Sequence, residues 1–174
     1  MNKRHILWAI SLLFLALPSF AKTDAKKFQA ICPGSPPAIR CLRSHFDALY
    51  EADYEKLWDG YRVYKDRAMK CVRPQAMADF LSLADAILIN AEVSEGFAED
   101  VEKAVLGQTK CFLEGAILLD ESSLRALIKH FVAAPIYHNP EELRPPLEKY
   151  RGTSKYSRFS QLYFTEPARG LTKP

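Results

Sequence analysis

Large apolar residues recur at helical spacing along most of this chain. Between His45 and Met69 they lie three, four or seven residues apart, which places them on one stripe of an amphipathic helix. The members of this stripe are Tyr50, Tyr54, Leu57, Trp58, Tyr61 and Ala68. The pattern predicts a single long helix over residues 45–69.

Two more helices are predicted between residues 74 and 107. The first follows Pro74, which fits the first turn of a helix because the N–H that proline lacks has no intrahelical partner there. Its apolar face consists of Met77, Phe80, Leu81, Ala84, Ile87 and Leu88. The second runs from about Ser94 to Gly107, since glycine favours the end of a helix.

The segment 109–143 is predicted to hold two helices folded back on each other, followed by a turn. The first ends near Asp120, Ser122 or Ser123 caps the second, and Pro135 ends it. The apolar residues that support the second helix are Leu124, Leu127, Ile128, Phe131 and Val132.

One more helix is predicted to begin at Asn139, where a capping residue precedes the first-turn Pro140. It continues towards Tyr150, and the adjacent Pro145 and Pro146 should bend or shorten it. No stretch of the sequence alternates convincingly between apolar and polar residues, as a half-buried strand would. The fold class predicted from these patterns is all-α, a compact array of about six to eight helices.

A faint internal repeat accompanies the helices. An apolar residue followed by Glu-Lys begins at Tyr54, Val101 and Leu147, at separations of roughly 46 to 47 residues, a period typical of HEAT-like helical hairpins. Under this interpretation Cys71 and Cys111 occupy equivalent places in successive units. Chance agreement in an ordinary helical bundle is the alternative, because Glu-Lys pairs are common on helices.

The first 21 residues have the order of a secretory signal peptide. Lys3 and Arg4 precede an apolar run of about twelve residues, shorter than the roughly 20 that a membrane-spanning helix needs, and Ser19-Phe20-Ala21 forms a Ser-x-Ala cleavage site. We therefore expect residues 1–21 to be removed, which leaves no stable membrane anchor.

The mature chain is predicted to be a single helical domain over residues 22–165. At about 140 residues it is long enough to bury a substantial core. A short helix or a docked tail is predicted in its last part. The apolar residues that indicate it are Tyr156, Phe159, Leu162, Tyr163 and Phe164. Proline and glycine beyond Thr165 predict a disordered tail over 166–174.

All four cysteines lie in the mature part of the chain, at Cys32, Cys41, Cys71 and Cys111. An even number of cysteines in an exported chain indicates disulfides, and the turn-forming stretch Pro33–Pro37 favours the pairs Cys32–Cys41 and Cys71–Cys111. The sequence contains no C-x-x-C and no matching pair of histidines. No metal site and no cofactor are therefore predicted.

Charge excludes one class of partner. The formal net charge is +3, and the predicted signal peptide removes Lys3 and Arg4 without an acid, which lowers the net charge to about +1. No run of five or more Lys or Arg residues occurs. A nucleic-acid partner is therefore not predicted.

No motif for an activated serine, a zinc protease or a phosphate-binding loop occurs, and the chain has only 7 glycines from which such a loop could be built. The remaining candidates for acid–base chemistry are His130, Tyr137, His138, Glu141, Glu142 and Asp120. Histidines on a mixed helix face or just before a helix start are more often structural. No catalytic residue is therefore predicted, and the segment 109–143 is expected to be scaffold.

The helix predicted over residues 45–69 is unusually rich in amphipathic rings, which are favoured at protein interfaces. The candidate binding surface consists of Tyr50, Tyr54, Trp58, Tyr61 and Tyr64. Of these, Tyr54 and Tyr64 are expected to be exposed. The alternative is that the stripe packs in the core with the tyrosine hydroxyls at its margin.

These features favour an exported, disulfide-stabilised protein, periplasmic or secreted, that binds another protein of the cell envelope without catalysis, as an inhibitor, immunity factor or adaptor does. In size and style the chain is similar to small secreted helical proteins with disulfides that neutralise cell-wall amidases. The alternatives are a small envelope hydrolase with a His/carboxylate site and a binder of a small apolar ligand between helices.

Overall fold

The computed structural model describes residues 20–165, with side chains from residue 26 onward, and its regular elements are helices. In chain order these are α1 (Phe20–Ile31), α2 (Ile39–Ser44), α3 (Phe46–Ala52), α4 (Tyr54–Met69), α5 (Pro74–Leu81), α6 (Ala84–Ile87), α7 (Ala91–Gly107), α8 (Thr109–Ala116), α9 (Glu121–Leu127), a π-helical turn (Ile128–Val132), α10 (Pro140–Glu148), a 3₁₀ turn (Ser154–Tyr156) and α11 (Ser157–Thr165). The prediction of a compact all-α array is confirmed.

Helix α5 lies at the centre of the array, where it packs along both α8 and α4. Gly115 of α8 permits the close approach, because a Cβ atom there would lie 2.5 Å from Cγ of Met77 and 2.9 Å from the backbone nitrogen of Ala78. No side chain fits at such distances in a close-packed interior. The fully buried aromatic residues of the core are Phe28, Phe80, Phe97, Phe112, Phe131 and Phe159.

Both predicted disulfides are present. Cys32–Cys41 closes the turn between α1 and α2, and Cys71–Cys111 joins the α4–α5 turn to the first turn of α8 across 40 residues of sequence. On the chain-entropy estimate, a loop of that length stabilises the fold by about 4 kcal/mol.

The helix predicted over residues 45–69 is divided in two at Asp53. This residue has an extended backbone, and its carboxylate accepts a hydrogen bond from the Lys56 N–H at 3.1 Å, so that it caps α4. The apolar stripe runs across the break because Tyr50 and Tyr54 keep their spacing of four. Periodicity alone therefore did not reveal the break.

The apolar run after Pro74 also forms two helices, α5 and the short α6. Leu83, between them, is buried, so both helices contribute to one continuous buried surface. Leu88 lies beyond the end of α6 and is 37 % exposed, which contradicts its predicted place on the buried face.

Helices α7 and α9 begin earlier than predicted, because polar residues upstream cap them. The side-chain oxygen of Asn90 accepts the Val93 N–H at 3.2 Å, which starts α7 at residue 91. The carboxylate of Asp120 accepts the Ser123 N–H at 2.9 Å, which starts α9 at residue 121. The prediction that Ser122 or Ser123 caps this helix was wrong.

The start of α10 is as predicted. Asn139 and Glu142 form a reciprocal capping box, and Pro140 occupies the first turn. The helix ends at Glu148 with two prolines inside it, so Tyr150 lies beyond its end.

The last predicted helix is present as α11, and its buried residues Phe159, Leu162 and Tyr163 dock it onto the core. The predicted signal peptide falls outside the described residues, apart from Phe20 and Ala21 at the start of α1, and the predicted disordered tail falls wholly outside them. In the described part of the chain, no helix has the length and apolar character needed to cross a membrane.

The predicted repeat of about 46 residues is not confirmed. Glu55 lies in the exposed first turn of α4, Glu102 is fully buried within α7, and Glu148 is exposed at the end of α10. Equivalent positions of a helical repeat share an environment, and these three do not. Cys71 and Cys111 differ in the same way, one lying in a turn and the other in a helix.

Candidate functional site

A buried carboxylate on α7 fixes the loop that connects the π-helical turn to α10. Glu102 is 0 % exposed and accepts hydrogen bonds from three consecutive backbone N–H groups. The donor–acceptor distances are 2.7 Å from Ile136, 3.1 and 3.2 Å from Tyr137 and 2.8 Å from His138. A buried charge is unfavourable unless donors replace water, so these N–H groups stabilise the carboxylate inside the protein.

The imidazole of His138 completes the set of donors. Its Nδ1 lies 2.7 Å from Oε2 of Glu102, and because that carboxylate is the acceptor, Nδ1 carries the proton. Within the described part of the chain, Glu102 is the only hydrogen-bond partner of this ring. The side chain of His138 is 30 % exposed, which leaves Nε2 as the nitrogen that is free to meet another group.

Two large apolar side chains project from the loop that Glu102 holds. Ile136 is 52 % exposed and Tyr137 is 51 % exposed. Pro135 before them and the capped start of α10 after them restrict the backbone further. The loop therefore has an immobilised backbone and an exposed tip, which we call the Ile136-Tyr137 tip.

The π-helical turn that precedes this loop adds one residue to a helical turn, at Ile128–Val132. Such turns are rare and occur frequently at functional sites. Its last hydrogen bond runs from the Ala133 N–H to the Ile128 carbonyl at 2.8 Å. The turn thus sets the direction in which the chain leaves α9 for the tip.

The structure does not bring together the acid–base residues that the sequence offered. Asp120 caps α9 and Glu142 caps α10, so both carboxylates have structural roles. His130 is partly buried, and burial, together with the charge of Lys129, lowers its pKa. In the described part of the chain, the carboxylate that contacts a histidine is Glu102, which the sequence indicates only as part of the repeat element beginning at Val101.

The predicted aromatic surface is divided by the structure. The hydroxyls of Tyr50 and Tyr54 donate to Glu92 of α7 at 3.2 and 2.7 Å near the protein surface. Tyr61 and Tyr64 are only 2 % and 7 % exposed. The expectation that Tyr64 is an exposed ring was therefore wrong.

The buried members of this set are core residues whose hydroxyls reach polar partners. The Tyr61 hydroxyl donates to Asp100 at 2.8 Å, and burial raises the pKa of Tyr61 far above its usual range. The Tyr64 hydroxyl donates to the carbonyl of Pro37 at 2.9 Å. Trp58 packs edge-on against Tyr61, with ring centroids 5.0 Å apart. Core packing with polar margins describes Tyr61 and Tyr64, and Trp58 is partly buried beside them.

A second polar cluster surrounds Arg43 of α2. Its guanidinium donates to both oxygens of Asp85, at 3.1 and 2.6 Å, and to Asp120 at 2.8 Å. The buried Ser123 hydroxyl donates to Asp85 at 3.3 Å. The hydrogen bond from Arg43 holds the pKa of Asp120 well below its usual range. This cluster ties α2, α6 and α9 together.

No group of three or more His, Cys, Asp or Glu residues suited to a metal ion occurs among the residues that the structure describes. Comparison with known proteins gives no match to a protein-family model, a curated protein or a solved structure. The function is therefore argued from the residues and their geometry.

Proposed function

We propose that this protein is an exported, non-catalytic module that binds another protein of the cell envelope, as an inhibitor or immunity factor does. The Ile136-Tyr137 tip is the proposed contact. The observation that carries this proposal is the buried Glu102, which fixes three backbone N–H groups directly beneath two half-exposed apolar side chains.

Preorganisation is the physical reason that this arrangement favours binding. A loop that becomes ordered only on association loses conformational entropy at that moment, whereas a loop that is already held does not. Tyrosine is also among the residues enriched at the energetic centres of interfaces. A projecting tip of this kind fits a concave surface on its partner, such as the cleft of an enzyme.

Export is supported by two features. Disulfides persist in oxidising compartments, and the chain has Cys32–Cys41 and Cys71–Cys111. The first 21 residues have the order of a signal peptide. A periplasmic location agrees with both features.

The test uses mature protein as bait in envelope extract, followed by calorimetry with the purified partner. We expect Tyr137→Ala to weaken binding by about tenfold or more, as loss of an interface centre does. Ile89→Ala is the matched control, because Ile89 is 78 % exposed and lies in the connection between α6 and α7, outside the tip. If Tyr54→Ala weakens binding and Tyr137→Ala does not, the contact lies on the aromatic helices instead.

A second candidate, an envelope hydrolase, is favoured by the contact between Glu102 and His138. A carboxylate that holds Nδ1 of a histidine orients the ring so that Nε2 can act as a general base. His138→Gln separates the two functions. The enzyme is favoured if His138→Gln no longer hydrolyses an envelope substrate while its melting temperature is unchanged. Tyr137→Ala should then keep full hydrolytic activity.

A further inference from the structure

The two disulfides have different surroundings. Each bond joins a buried cysteine, Cys32 or Cys111, to a partly exposed one, Cys41 or Cys71, and the sulfur of Cys41 lies 3.4 Å from the carbonyl oxygen of Ile31. Cys71 and Cys111, in contrast, line an open depression with a volume of about 510 Å³. A thiolate can attack a disulfide only where it can reach a sulfur atom, and this depression gives it a route to the Cys71–Cys111 bond.

The surroundings of Cys111 favour its departure as a thiolate. It is the third residue of α8, where the free N–H groups of the first turn and the positive end of the helix dipole stabilise an anion. Lys110 and Lys70 line the same depression. The one acid there, Glu114, is paired with Lys155 at 2.8 Å. Cationic neighbours and a helix N-terminus are the features that stabilise cysteine thiolates in proteins.

Cys71 is held in an unfavourable backbone conformation. Its φ is 49°, and it is the only non-glycine residue in the described part of the chain with positive φ. For an L-residue this left-handed conformation is disfavoured, because Cβ comes too close to the following carbonyl oxygen. Opening the disulfide would allow the α4–α5 turn to relax, which favours the reduced form.

We propose that Cys71–Cys111 is a site of thiol–disulfide exchange with an oxidoreductase that carries a C-x-x-C pair, whereas Cys32–Cys41 is purely structural. This inference is independent of the proposed binding function. The partly exposed Cys71 is the sulfur that is attacked, and the buried Cys111 is the leaving group.

The exchange proceeds in two steps. The thiolate of the first oxidoreductase cysteine attacks Sγ of Cys71, a mixed disulfide forms, and Cys111 leaves with the electron pair of the broken bond. The second oxidoreductase cysteine then attacks the first, and Cys71 leaves as a thiolate. Two electrons have passed to this protein, the oxidoreductase holds a disulfide, and solvent supplies the protons of the two new thiols.

The test is a reduction time course on the native mature protein with a reduced C-x-x-C oxidoreductase, quenched with iodoacetamide and analysed by peptide mapping. We expect Cys71–Cys111 to open at least about tenfold faster than Cys32–Cys41 while circular dichroism stays unchanged. An oxidoreductase variant that lacks its second cysteine should be trapped on Cys71. Opening of Cys32–Cys41 first, or of both bonds only with loss of helical signal, would overturn the proposal.

Charge variants provide the matched control. Lys70→Gln and Lys110→Gln should each slow the opening several-fold, because they remove a cation that stabilises the departing thiolate. Lys129→Gln, an exposed lysine that does not line the depression, should leave the rate as in the wild type. Equal rates in all three variants would contradict the assignment of Cys111 as the leaving group.

Discussion

Two carboxylate clusters join distant segments of this protein, and they do so with different partners. Glu102 is fully buried, and its donors are backbone N–H groups and one imidazole. The side chains of Asp85 and Asp120 are 28 % and 51 % exposed, and both accept from the guanidinium of Arg43.

The difference lies in what each cluster can hold in place. A backbone N–H cannot turn away without moving the chain, so the Glu102 cluster dictates the course of the loop itself. A guanidinium on a long side chain can follow small movements of its partners. The Arg43 cluster therefore ties helices together without fixing a backbone conformation. The exposed Ile136-Tyr137 tip belongs to the more rigid cluster.

The largest expected effect is that of Glu102→Gln. Glutamine keeps the size of the side chain but directs an NH₂ group at N–H donors, so the free energy of unfolding should fall by about 3 kcal/mol. Urea unfolding followed by circular dichroism measures the loss. Glu99→Gln on the same helix is the control, because Glu99 lies at the surface and pairs with the exposed Lys103, and it should unfold like the wild type. Equal stability of the two variants would show that Glu102 does not fix the loop.

Arg43→Met should have the next largest effect. It leaves the partly buried Asp85 without its cation, and we expect a loss of about 2 kcal/mol, less than for Glu102 because water can reach this cluster. Arg62→Met serves as the control, since Arg62 forms an exposed pair with Asp59. A loss as large as that of Glu102→Gln would remove the distinction between the two clusters.

His138→Ala distinguishes the imidazole from the backbone donors. The three N–H groups still hold the loop, so the free energy of unfolding should fall by only about 1 kcal/mol. Amide hydrogen exchange is the sharper measurement. The amides of Ile136 and Tyr137 should stay protected in this variant and exchange fast in Glu102→Gln. If these amides exchange fast in both variants, the imidazole of His138 is needed to keep the loop ordered, and the backbone hydrogen bonds to Glu102 are not sufficient.

Asp120→Asn should have the smallest effect, and a pH-dependent one. Asparagine still caps α9, but it accepts from Arg43 more weakly than a carboxylate does. Because Arg43 keeps the folded pKa of Asp120 below its ordinary 3.8, this contribution is present above pH 3.8 and is lost as the pH falls below it.

The carboxylate of Asp120 is half exposed, so screening limits this contribution to less than about 1 kcal/mol. The difference in melting temperature between wild type and variant should therefore shrink between about pH 5 and pH 2. A difference that is the same at both pH values would contradict the assigned role of Arg43.

The sequence predicts features whose partners are close along the chain. Asn139 and Pro140 start α10 because a cap acts within one turn, and the turn-forming residues between Cys32 and Cys41 made that pairing recognisable. Asp53 had the same kind of local signal, a capping residue three before Lys56. It was missed because the apolar stripe was continuous across it.

The candidate site could not be predicted, because its partners are 34 to 36 residues apart in sequence. The one local signal was that Glu102 lies four residues after Ala98 and three before Val105, on the buried face of α7. The adjacent Lys103 made Glu102 resemble half of an exposed pair. Tyr64 was misjudged for a similar reason, since its partner Pro37 comes from a different part of the chain.

The covalent ring closed by Cys71 and Cys111 determines how far this molecule can be stretched. A force applied through the two ends of the chain passes from one sulfur to the other, so the segment between them, spanning 40 residues of sequence, carries no load. At roughly 3.5 Å per extended residue, about 140 Å of chain cannot be drawn out while the bond is intact. Adding a thiol reductant to a single stretched molecule should therefore give a step of about that length when Cys71–Cys111 opens, and a much shorter step when Cys32–Cys41, which spans 9 residues of sequence, opens.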